Sequence, residues 1–129
     1  RVILTGKVKN SDTSVDAVKL AWQPEGVREV VNEIQIIEEP SLKEIANSKW
    51  IKTQIVAKIT ATKDIRSLNY TVEVVNGVVY LMGVGQDQGE VDRVVAHANS
   101  VNNVKRVENY VVLKDDPIRN GFGTQTSQR

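Results

Sequence analysis

Hydrophobic positions along this chain recur with two different periods, and each change of period marks an element. Val2 to Val8 alternates as a strand does, with Gly6 a bulge or a point of close backbone approach. Ser11, Asp12, Thr13 and Ser14 offer helix N-caps; Val15, Val18 and Trp22 then recur at helical spacing until Pro24 and Gly26 end the run. Val27 to Ile37 is rich in β-branched residues and reads as a strand, broken by Glu38-Glu39-Pro40. A second helix is predicted from Ser41 or Asn47 to Thr60, then a strand from Leu68 to Val75. Asn76-Gly77 is the strongest hairpin signal, because a type I′ turn needs positive φ at both central residues. Val78 to Val84 returns as its partner strand. Asp87 and Glu90 have capping-box spacing, with Asp replacing the usual Ser or Thr. The helix they open carries Val91, Val94, Val95 and Ala98 on one face. Val104 to Leu113 is the last strand, and Asp116-Pro117 starts a Gly-, Thr- and Gln-rich tail expected to be loosely ordered.

The last third of this pattern repeats the first. Gly6 answers Gly83, Val15-Asp16 answers Val91-Asp92, and Val27-Arg28 answers Val104-Lys105, a spacing of about 77 residues. A period that long is a whole small domain, not a solenoid unit. The second copy reads helix, strand, strand, helix, strand, an α+β sandwich with two helices on one face of a small sheet. The first copy shows only strand, helix, strand. The expected bounds are 1–37 for the partial copy, 38–40 for a linker, 41–114 for the complete copy and 115–129 for the tail. A half-copy buries too little surface to stand alone. It is expected either to pack on the second copy or to find its other half elsewhere in a parent protein. The chain opens on Arg1, not Met, and so reads as a processed, excised or partial product in which the lack of a signal peptide carries no information.

Chemistry adds little to this picture. Cysteine is absent, which removes disulfides, thiolate catalysis and Cys-type zinc sites together. His97 is the single histidine; it sits beside the Val91–Ala98 stripe and reads as a surface residue with no catalytic company. The acidic pairs Glu38-Glu39 and Asp115-Asp116 fall in connecting segments and read as solvated charge. Gly83-Val84-Gly85 stands where a dinucleotide fingerprint would, but Gln88 fills the slot of the third glycine, which comes one residue late at Gly89. A tight strand-to-helix turn explains these glycines better. A net charge of +1 supplies no bulk drive toward nucleic acid, and no apolar run approaches the roughly 20 residues needed to cross a bilayer. The chain therefore reads as a non-enzyme, with no cofactor, metal or small-molecule substrate.

The order of motifs carries a resemblance. A strand ending in Leu-x-Gly, a Val/Ala-rich helix and then Val-x-x-Val resembles the BON domain of bacterial envelope proteins, and the duplication covers the whole chain except the tail. Asn47 to Ile55, Asn76 to Gly83 and Val104 to Val107 are most similar to the two-domain outer-membrane lipoproteins of that family, with osmotically induced periplasmic members next. The resemblance implies an αββαβ domain, periplasmic residence, binding of anionic phospholipid by the second copy, and no enzymatic activity. It also implies an upstream lipid-attached cysteine and a role in outer-membrane integrity. The first copy departs from the family pattern by lacking its opening helix and strand.

One helix carries a candidate site. At about 100° per residue, Ile51, Ile55 and Ile59 form a core stripe, and Trp50 points roughly 140° from its centre, in line with Ala46, Ala57 and Ala61. Around it lie Lys43, Lys49, Lys52, Lys58, Lys63 and Arg66 against Glu44 and Asp64, six bases against two acids, or +4. An exposed tryptophan among lysines suits an anionic membrane surface, where the ring sits at headgroup level. The candidate lipid-binding residues are Lys49, Trp50, Lys52, Thr53, Gln54, Ala57, Lys58 and Ala61. The competing readings are that Trp50 packs against the first copy, or that the same face is a hot spot for another envelope protein. Trp22 reads as structural, on the apolar side of the first helix.

Overall fold

Short strands β1 (Val2–Leu4) and β2 (Lys7–Val8), helix α1 (Ser11–Trp22) and short strands β3 (Val30–Asn32) and β4 (Gln35–Ile36) build the first of two units in the computed structural model, which describes residues 1–37 and 41–115. β1 pairs with β3 and β2 with β4, both parallel, so α1 is the crossover of a βαβ unit. The strand expected over Val2–Val8 is interrupted at Thr5-Gly6, where Gly6 has a φ of +129°. The strand expected over Val27–Ile37 is likewise shorter. Pairing starts at Val30, and between β3 and β4 the Asn32 side chain accepts from the Ile34 N–H at 3.0 Å.

The helix in this unit sits differently from its sequence pattern. Its N-cap is Asn10, extended at φ −143° and accepting from Thr13 N at 3.0 Å, and Ser11 to Ser14 are already helical. Val15 and Trp22, expected on the packed face, are exposed, Trp22 at 48%. Ser14, Ala17, Val18 and Ala21 are turned inward instead. Small side chains let a helix approach a two-stranded ribbon closely, which a tryptophan would prevent. Ser14 accepts from the Asn32 side chain at 3.0 Å and is the only buried residue among 1–37.

The second unit, Ser41–Lys114, runs α2 (Leu42–Ala61), a 3-10 turn (Ser67–Asn69), β5 (Tyr70–Val75), β6 (Val78–Gly85), α3 (Gln88–Ser100) and β7 (Arg106–Leu113). The sheet order is β5-β6-β7, antiparallel then parallel. Ile51, Ile55 and Ile59 of α2 and Val94 and Ala98 of α3 form one cluster with Val72, Val79 and Leu81, the inward alternate positions of the strands. Two helices thus cover one face of a three-stranded sheet, an αββαβ sandwich of the α+β class. Asn76 and Gly77 have φ of +49° and +81°, the pattern of a type I′ turn, as their dipeptide predicts.

Two expectations change here. Leu68 is not in β5 but on the 3-10 turn before it. Gly83 and Gly85 lie inside β6 and not in a strand-to-helix turn: they make room, since a Cβ on Gly83 would stand 2.0 Å from the Asn69 carbonyl oxygen and one on Gly85 2.4 Å from Val91 Cγ2.

The repeat is structural. Val2↔Val30 and Leu4↔Asn32 recur as Val79↔Val107 and Leu81↔Asn109, and Lys7↔Gln35 recurs as Val84↔Val112. Gly6 and Gly83 share φ near 130°. Asn109 captures Val111 N at 3.0 Å as Asn32 captures Ile34 N. The N-caps Asn10 and Asp87 also correspond, so Ser14, and not Val15, answers Val91. That one-residue shift is why Val15 faces outward. The linker at 38–40 and the tail from Asp116 onward lie outside the described residues.

Candidate functional site

Capping and core packing fix which side of α2 faces away from the sheet. Ser41 caps the helix by accepting from Glu44 N at 3.1 Å, and the three buried isoleucines lock its rotation. Opposite them Trp50 is 44% exposed, and Ala46, Lys49, Thr53, Ala57 and Ala61 are exposed with it. Leu42, Ile45 and Val56 are exposed on the same helix, Leu42 at 84%. Sequence reasoning passed over these three; their signal was present, since each falls off the isoleucine stripe. From Leu42 to Val56 the apolar positions extend about 21 Å along the axis. Thr53 donates its hydroxyl to Lys49 O at 2.9 Å, so its polar group is already satisfied within the helix.

The structure sorts the remaining candidates. Gln54 is half-buried at the edge of the face. Lys52 reaches Glu73 on β5 at 3.3 Å, with both side chains nearly half exposed, so part of its charge is answered within the unit. Such a pair contributes at most about 1 kcal/mol. Lys43, Lys49 and Lys58 are exposed and carry the rest of the helix's positive charge.

The buried chemistry lies elsewhere, at Glu90. Asp87 caps α3 as expected, accepting from Glu90 N at 2.8 Å, but the Glu90 carboxylate does not return to the Asp87 N–H. It is fully buried and accepts from Tyr70 Oη at 2.5 Å, Gln86 Nε2 at 2.5 Å, Gln86 N at 3.2 Å and Arg66 N at 3.3 Å. Burial by itself pulls this carboxyl upward, yet the bonds from Tyr70, Gln86 and Arg66 together hold it below its ordinary value of 4.5. Burial and the adjoining carboxylate push the Tyr70 phenol well above its ordinary range. A carboxylate saturated by donors and sealed from solvent pins the start of β5 to the start of α3. His97 is half-buried rather than on the surface, its Nε2 3.0 Å from Thr62 Oγ1, because the end of α2 folds over it. Thr62 donates to Lys58 O, so its oxygen is the acceptor for a protonated Nε2. Among the described residues no group of His, Asp and Glu could hold a metal ion, and no helix is long and apolar enough to cross a membrane.

Comparison with known proteins agrees with this architecture. The BON domain model matches residues 1–38 and 47–115. An uncharacterised protein of Anaplasma centrale is 44% identical over 120 residues, covering 92% of this chain and 80% of that protein. Outer membrane lipoprotein DolP of Haemophilus influenzae is 33% identical over 107 residues, 83% of this chain and 55% of its own length. Osmotically-inducible protein Y of Escherichia coli is 34% identical over 115 residues, 88% of this chain and 57% of its own. The chain thus spans little more than half of the latter two.

Proposed function

Because the chain belongs to the BON domain family, we propose that it is a non-catalytic protein of the bacterial envelope that docks on anionic phospholipid bilayers through the outer face of α2. The observation that carries this reading is the placing of Trp50, Leu42, Ile45 and Val56 in solvent on a helix whose opposite side is sealed by isoleucines. A helix of this kind lies in the plane of a membrane surface, its apolar side chains at the headgroup boundary and its lysines on lipid phosphate. Each lysine close to an anionic surface contributes about 1 kcal/mol, and Lys43, Lys49 and Lys58 are exposed on this helix to do so. The name of the Haemophilus relative, an outer membrane lipoprotein, supports a periplasmic place at the outer membrane, with a lipid anchor upstream of this sequence as part of the same proposal.

Vesicle cosedimentation tests it. The chain binds vesicles containing anionic lipid and not neutral ones, and added salt weakens the binding. Trp50→Glu removes an interfacial ring and adds like charge beside a negative surface, so binding is lost, while an exposed substitution changes stability by no more than about 0.5 kcal/mol. Neutralising Lys49 and Lys58 weakens binding more gently and flattens its salt dependence. Retained binding by Trp50→Glu overturns the reading. Absence of vesicle binding by the unaltered chain hands this face to an envelope protein partner.

A further inference from the structure

We propose that the 3-10 turn at Ser67–Asn69 is a second contact with the same anionic bilayer, with Leu68 entering the headgroup layer; the inference rests on the membrane reading of α2. Leu68 is 99% exposed, the most exposed large apolar side chain described. A single leucine in water on a loose loop would mean little, because solitary exposed apolar residues are common. This turn is held from beneath. Arg66 N donates to the buried Glu90 at 3.3 Å, Asn69 N donates to Arg66 O at 3.0 Å, and the Asn69 carbonyl lies so close over Gly83 that no Cβ fits there. Ile65 before the turn and Tyr70 after it are both buried. Rolling the turn to hide Leu68 would drag one of them into water, so its exposure is built into the fold.

The surrounding charge selects the occupant. Between positions 58 and 69 stand Lys58, Lys63 and Arg66, all exposed, against the single acid Asp64, a net +2. An apolar tip flanked by long cationic side chains fits an anionic lipid surface, where the leucine enters the acyl boundary and the cations reach back to phosphate. The turn packs on α2, so both contacts belong to one unit, and holding both at once multiplies their affinities.

The chain contains no cysteine, so Leu68→Cys accepts a single environment-sensitive fluorophore. On vesicles containing anionic lipid its emission shifts to the blue and lipid-borne quenchers reach it; on neutral vesicles neither occurs. In parallel, Leu68→Ser lowers the partition coefficient for anionic vesicles about tenfold, equivalent to about 1.4 kcal/mol, with an unchanged melt, and Leu68→Ile restores it. A labelled chain that cosediments while its fluorophore stays in water overturns the second contact and leaves the α2 reading standing, as does full binding by Leu68→Ser. An unaltered chain that does not cosediment overturns both.

Discussion

Glu90 shows how much one side chain can hold when burial and hydrogen bonding act together. Its carboxylate joins Tyr70, Gln86 and the Arg66 backbone, so replacing it with Gln leaves several donors facing an amide that accepts through one atom and donates through the other. We expect Glu90→Gln to cost on the order of 2–4 kcal/mol, from weakened charge-assisted bonds and at least one buried donor left unpaired. The acid dependence follows from the sign of the shift. Because the folded carboxyl sits below its ordinary 4.5, its contribution is complete above that pH and is lost as pH falls through the lower native value. Thermal melts of the native chain should therefore drop on acidification below about 4.5, and the difference between native chain and Glu90→Gln should shrink over the same interval. A gap that stays constant from neutral pH into acid would remove the carboxylate from the account. The sequence pointed to Glu90 through its spacing from Asp87, but that spacing specifies only where the helix begins. Its partners Tyr70 and Arg66 lie 20 and 24 residues away, and no local pattern encodes that meeting.

At the scale of elements, turn chemistry and core periodicity were legible, whereas edges and helix rotation were not. Ile51, Ile55 and Ile59 are large enough, and regularly enough spaced, to set the face of α2. In α1 the inward set is Ser14, Ala17, Val18 and Ala21, and small residues leave almost no hydrophobic signal beside Val15 and Trp22. Leu68 looked like the first residue of a strand because a 3-10 turn and a strand entrance share apolar residues flanked by polar ones. Two glycines test the sheet. Gly77→Val should cost on the order of 1–2 kcal/mol or more, since a β-branched residue resists positive φ and its Cβ would meet Lys105 Cγ at 3.0 Å. Gly83→Ala should cost on the order of 2–4 kcal/mol, the strain of its φ joined to a collision with a backbone oxygen that no rotamer can relieve. Denaturant melts measure both; negligible losses would mean that the turn and the Asn69 approach are not the contacts that fix β6.

The whole molecule is one module written twice with unequal cores. Strand registers, the Gly6 and Gly83 conformations and the Asn32 and Asn109 side-chain captures all recur at the same offset, so the two copies share a backbone plan. Their interiors differ. Every buried hydrophobic side chain among the described residues lies between Ile51 and Val101, and residues 1–37 bury only Ser14. Stability of a small unit grows with the apolar surface it removes from water, and ordering each backbone residue costs about 1–2 kcal/mol. Residues 41–114 meet that demand with a cluster drawn from two helices and three strands. Residues 1–37 have two-residue and three-residue strands and no apolar residue fully enclosed. We therefore expect the fragment 41–114 to unfold in one cooperative thermal transition and to keep the vesicle binding assigned to α2. The fragment 1–37 should give the circular dichroism of a coil. In the full chain, hydrogen exchange should leave amides of β6 and α3 protected long after those of β1 to β4 have exchanged. A cooperative melt from 1–37 would show that the first copy folds on its own and overturn this account, as would equal protection across the two repeats in the full chain.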